Sequence, residues 1–309
     1  MLRGKKAMAT KKTSSFKNWD LWASRGMLAL GVGLILSGII CFVAFNWQYL
    51  QPSHKFISLE GALLACLGTA YFYGFHNLVG QLLLTAASVL LGAFLACFGQ
   101  IYQTGADSYT LFLMWSALML PWVLFSSFAP LWLLWIGVSN LSFILYWSQD
   151  HGFLFEENPL LSFLIVFNGL ILGLREYYLP LWAKAPWIRL VMVLPILACA
   201  FAAALRFIAD ARDFFIPNKT VPLTMELCIS TALSFATLLV FYIVYKNKRP
   251  DRTAFTATLI TCALIFWNAM QRLGDLMALS PSVRGGVAGG TLVVLVGWVR
   301  RLTHKAGDA

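Results

Sequence analysis

The chain has 309 residues, of which 60% are hydrophobic and 12% charged, with a formal net charge of +10 and a mean hydropathy of +0.74. So little charge cannot cover the surface of a soluble domain of this size, and residues 78–149 hold a single charged side chain, Asp107. These figures exclude a soluble globular protein and predict an all-α, polytopic transmembrane helical bundle.

In chain order, residues 1–25 carry seven basic residues and one acid. They read as a basic cytoplasmic tail ahead of a retained first membrane helix, because the apolar run that follows is too long for a signal-peptide core. Apolar segments of spanning length follow at 26–45, 56–74, 78–101, 110–126, 129–147, 159–175, 187–208, 224–245, 253–270 and 283–299. The count is therefore about ten, with nine or eleven fitting the same hydropathy. The weakest boundary is "FSSFAP" at 125–130, where Pro130 suits the first turn of a new helix. This divides the protein into the tail, a membrane region at 26–147, a second at 148–299 and a short cytoplasmic tail at 300–309, with five spans in each membrane region.

Charge sets the expected orientation. With the N-terminus inside, seventeen of the 23 basic residues fall on the cytoplasmic side. These are the tail residues together with Arg175, Lys184, Arg189, Lys246, Lys248, Arg249, Arg252, Arg300, Arg301 and Lys305. Lys55, Arg206, Arg212, Lys219, Arg272 and Arg284 fall outside. The bias predicts that both termini are cytoplasmic. It also accounts for the basic balance without nucleic acid, with membrane lipids as the expected surroundings. The acids lean the other way: Asp20, Glu176, Asp251 and Asp308 are inside and the remaining nine are outside or near it.

The six cysteines lie in apolar runs without a Cys-x-x-Cys pair, and the four histidines are scattered. They read as packing residues, with neither a metal site nor a cofactor implied. No G-x-S-x-G, phosphate loop or H-E-x-x-H is present, so no catalytic residue is proposed.

Candidate ligand-binding residues come from polar clusters at the expected outer ends of spans: Asn46 in "NWQY", Gln100, Tyr102, Gln103 and Asp107 in "GQIYQTGAD", and Gln271 and Asp275 in "WNAMQRLGD". Gly105 can end a helix in the left-handed conformation, and Asp107 or Ser108 can cap the next one. That leaves Gln100 and Gln103, three residues apart, which should face either neighbouring helices or a wet cavity. Glu60, about four residues into the second span, joins the candidates because an intramembrane carboxylate needs a partner or water. Glu226 suits a helix N-terminus, and Arg206 and Asp210 form an i, i+4 pair.

"AFNW" followed by Pro52 and Lys55, and then "GQIYQTGAD" before "LFLMWSALMLPWVL", resemble bacterial membrane proteins of the domain of unknown function 2157 family, over roughly residues 26–147. Proteins of this kind are often encoded beside a smaller membrane-anchored protein, so the resemblance implies such a partner and a bacterial inner-membrane location. It supplies no activity. Three readings follow: a non-enzymatic protein with an outward-facing polar pocket for a small polar or lipid-derived ligand, a scaffold subunit of an envelope complex, and an enzyme acting on lipid-linked substrates.

Overall fold

The computed structural model describes residues 49–103, 105–151, 159–178, 186–214 and 225–277, and single positions between 27 and 47 and between 280 and 301. The described residues are helical apart from short connections. The helices are α1 (Pro52–Tyr73), α2 (Leu78–Tyr102), α3 (Ser108–Phe125), α4 (Ala129–His151), α5 (Leu160–Tyr178), α6 (Pro186–Phe214), α7 (Met225–Ile243) and α8 (Arg252–Leu276). All eight are long and apolar enough to cross a membrane. The described positions between 27 and 47 and between 283 and 301 are helical as well, where the first and last spans are expected.

The chain forms two compact units, Met1–Gly61 and Ala62–Ala309. In the first, the Phe45 and Tyr49 rings meet edge to face at 6.5 Å. The Lys55 ammonium lies 5.5 Å from the centre of the Trp47 ring.

In the second unit, the connection from α1 to α2 is tight for a steric reason. Gly74 takes φ +83°, and a Cβ on Gly80 would stand 2.3 Å from the Gly74 carbonyl oxygen. Only glycine fits both positions without displacing the turn. Asn77 caps α2, its side chain accepting from the Val79 amide.

From α2 to α8 each helix buries one stripe and leaves apolar residues exposed, as in a bundle in lipid, whereas α1 buries Ala70. On α7 the buried residues are Leu227, Thr231, Ser234, Leu238 and Phe241, while Phe235, Leu239 and Val240 are exposed. Several buried hydroxyls are satisfied within their own helices: Thr231 donates to the Leu227 carbonyl, Thr258 to Ala254 and Thr261 to Ala257. Ala200, Ala203 and Ala204 on α6 are fully buried, and their small size lets neighbouring helices approach closely.

Two apolar clusters result. One gathers Leu84, Met119, Val123 and Leu131 with Trp115, Trp122, Trp132 and Trp135. The other is built on α5–α8 around Ile196, Ala200, Phe241 and Phe255. Between them, Asn140 on α4 and Asn168 on α5 exchange amide hydrogen bonds of 3.0 and 2.7 Å.

Candidate functional site

The polar stretch between α2 and α3 lines a groove of about 750 Å³. Its walls are the last two turns of α2 and the first two of α3, so nearby sequence suffices to build it. Gln100, Gln103, Asp107, Ser108 and Thr110 supply the polar edge, and Leu95, Phe98, Leu111 and Met114 the apolar surface.

The backbone there departs from the simplest helix-stop arrangement. α2 ends on Gln103, which itself takes the left-handed conformation at φ 44°, ψ 48°. Gly105 is also left-handed, at φ +63°. A non-glycine residue in this region is uncommon and carries local strain. Asp107 occupies the N-cap position of α3, yet its carboxylate makes no capping hydrogen bond. Instead, Thr110 Oγ1 donates to the Asp107 main-chain carbonyl at 2.6 Å. The carboxylate therefore stays exposed on the groove edge, together with the exposed side chains of Gln100 and Gln103.

Tyr102 is exposed beside the groove, and its ring packs on Phe98 at 4.7 Å. Glu60 is exposed on α1 and belongs to the N-terminal unit. Gln271 is half-buried on α8 and does not line the groove. Asp275 falls near the end of α8, with its side chain outside the described residues, and Asn46 lies wholly outside them. The Arg206–Asp210 pair forms, at 4.0 Å.

The ring contact of Tyr109 with Tyr146, and that of Trp147 with Phe163, bring the start of α3, the end of α4 and the start of α5 to the same end as the groove. The opposite end of the unit holds a cluster that counting charges along the chain does not assemble. Glu176 at the end of α5 accepts from Arg175 Nη1, from Arg189 Nε at 2.9 Å and Nη2 at 3.3 Å, and from Arg249 Nη1 at 3.0 Å. Arg189 Nη1 also donates to Asp251 Oδ2, and its guanidinium lies 5.8 Å from the buried Tyr245 ring centre. The Arg175 side chain is only 2% exposed.

Asp251 caps α8. Its Oδ1 accepts from the Thr253 amide at 3.0 Å, Thr253 Oγ1 at 2.6 Å and the Ala254 amide at 3.1 Å. Burial alone would raise its pKa. The Thr253 and Ala254 hydrogen bonds and the Arg189 charge outweigh burial and hold the carboxyl below its ordinary value. Arg249 reaches Glu176 because α7 ends in a π-helical turn, Val244–Lys248, closed by the Arg249 amide on the Val244 carbonyl at 2.8 Å.

Comparison with known proteins bears on the N-terminal part of the chain. No curated protein and no solved structure matches it. Residues 3–132, from the basic N-terminal stretch into the first turn of α4, match the family model of predicted membrane proteins of domain of unknown function 2157, the family that "AFNW" and "GQIYQTGAD" resemble.

Proposed function

We propose that this is a non-enzymatic, multi-pass protein of the bacterial cytoplasmic membrane, with both termini cytoplasmic, that binds or moves a small polar or lipid-derived ligand at the groove between α2 and α3. The observation that carries this reading is the groove's two-sided lining, with amides and one carboxylate along an apolar surface. Its volume of about 750 Å³ lies within the range of ordinary small-molecule sites. Asp107 is the one charged residue of its lining, so an anionic ligand would meet repulsion with no cation to offset it. A neutral or amine-bearing head on an apolar tail fits that chemistry. The lone carboxylate also gives no support to paired-carboxylate acid–base catalysis.

The orientation is supported by the arginine cluster, which gathers Arg175, Arg189 and Arg249 at the end opposite the groove. This is the end that the distribution of Lys and Arg assigns to the cytoplasm.

Native mass spectrometry of the full chain from mild detergent tests the reading. The wild type should retain a small molecule or lipid that the Gln100→Leu, Asp107→Asn double variant loses while remaining folded. Equal retention by both would remove the groove from the account. A stoichiometric small membrane-anchored protein, with no small ligand, would favour the scaffold reading instead.

A further inference from the structure

The end of the unit opposite the groove carries an excess of positive charge that its own acids cannot neutralise. Arg175, Arg189, Lys246, Lys248, Arg249 and Arg252 stand there with Glu176 and Asp251. Both carboxylates are already full. Glu176 accepts four donors, all from arginines. Asp251 accepts three from the start of α8 and one from Arg189. A carboxylate offers about four lone-pair sites, so neither can take another cation.

The surplus lies toward the open side. Arg175 is enclosed, whereas the Arg249 side chain is 35% exposed and, among the described residues, meets Glu176 through Nη1. The neighbouring Lys248 is exposed. Lys246 is held against Tyr242, donating to its hydroxyl at 2.9 Å with the ammonium 4.9 Å from the ring centre. These residues lie in the last turn of α5, the first turn of α6, the π-helical turn that follows α7 and the connection from it into α8. Tyr177 and Trp187 are exposed at the same helix ends, as aromatic side chains are at the depth of lipid headgroups. The anions abundant at that depth are lipid phosphates.

We propose that Arg249 and Lys248 bind the phosphate of an anionic lipid headgroup, with the Glu176–Arg189–Asp251 network fixing the position of Arg249. The site is separate from the groove and does not depend on the reading of the groove.

The test uses the full chain in mild detergent, titrated with phosphatidylglycerol or with phosphatidylcholine of the same acyl chains, and counts bound lipid by native mass spectrometry. The wild type should retain phosphatidylglycerol preferentially. Each basic residue near an anionic headgroup contributes a factor of roughly five, so Arg249→Ala with Lys248→Ala should lower phosphatidylglycerol retention roughly twenty-five-fold and leave phosphatidylcholine unchanged. Because Arg249 also pairs with Glu176, Lys248→Glu alone serves as a second variant. It alters an exposed side chain in the terminal turn and should weaken the same lipid without lowering the melting temperature. Equal retention of the two lipids by the wild type, or unchanged retention in Lys248→Glu, overturns the proposal. Displacement of the bound lipid by millimolar inorganic phosphate would assign the site to free phosphate and overturn the lipid assignment.

Discussion

Between α2 and α4 the helices are linked by indole and serine hydroxyl donors, whose acceptors are hydroxyls and main-chain carbonyls; between α5 and α8 the helices are linked by guanidiniums donating to carboxylates. In the first region Trp115 Nε1 donates to the Ser88 carbonyl and Trp122 Nε1 to Ser88 Oγ, each at 2.7 Å. Trp135 reaches the Ser116 carbonyl at 3.2 Å, and Ser116 and Ser139 share a hydroxyl bond of 2.8 Å. In the second region three arginines converge on Glu176. The difference follows depth. Neutral donors can be buried along the length of a membrane helix because no charge loses its hydration, whereas charges are tolerated near helix ends and only when paired. The neutral region also keeps Asp107, the one formal charge between residues 78 and 149, without a capping hydrogen bond and on the groove edge.

The sharpest way to break the charged region is to remove its shared acceptor. Glu176→Gln leaves Arg175, Arg189 and Arg249 facing one another across a site that is almost closed at Arg175. Stranding a buried charge in this way costs about 3–5 kcal/mol. The variant should melt far below the wild type in detergent, and a melting temperature within a degree or two of the wild type would show that the network is solvated.

The neutral region should fail through packing instead. A Cβ on Gly92 would stand 2.5 Å from Trp115 Cε2, so Gly92→Ala forces the indole away from the Ser88 carbonyl. Overpacking of this kind costs about 1–3 kcal/mol. The expected result is a moderate loss of thermal stability with a shift in tryptophan emission. An unchanged emission spectrum would mean that the ring does not occupy this position.

The two regions also differ in how far they can be read from the chain. Hydropathy placed the eight described helices within a few residues, since lipid demands an apolar run of fixed length. It ended the sixth of them at 208 and the eighth at 270, whereas α6 continues to Phe214 and α8 to Leu276. Hydropathy reports the apolar crossing, and a helix can extend beyond it through residues such as Asp210. The groove was partly legible because Gln100, Gln103 and Asp107 are neighbours in sequence and one turn brings them together. The ion network was not. Arg189 is 13 positions from Glu176 and Arg249 is 73. Orientation places such residues at one end of the bundle without saying which helices are adjacent. The tryptophan bonds to Ser88 span 27 and 34 positions and have no local signature either.

The smallest expected effect is the one that separates a turn from a site. Gln103 holds the left-handed conformation at φ 44°, which costs a side-chain-bearing residue roughly 1–2 kcal/mol. Glycine removes that strain but adds about 0.5–1 kcal/mol of backbone entropy to the cost of folding. Gln103→Gly should therefore leave stability unchanged or raise it by up to about 1.5 kcal/mol. Leucine would be a poorer probe, because it keeps the strain while removing the amide. If the stretch is only a connection between α2 and α3, Gln103→Gly should equal or exceed the wild type in melting temperature and in every binding measurement. If the groove binds a ligand through its amides, the same variant should be at least as stable and should retain less of the small molecule or lipid seen with the wild type. A strained glutamine kept where glycine would fold as well is what a binding role for its side chain requires. A gain in stability with no loss of ligand would return residues 98–109 to the status of a turn.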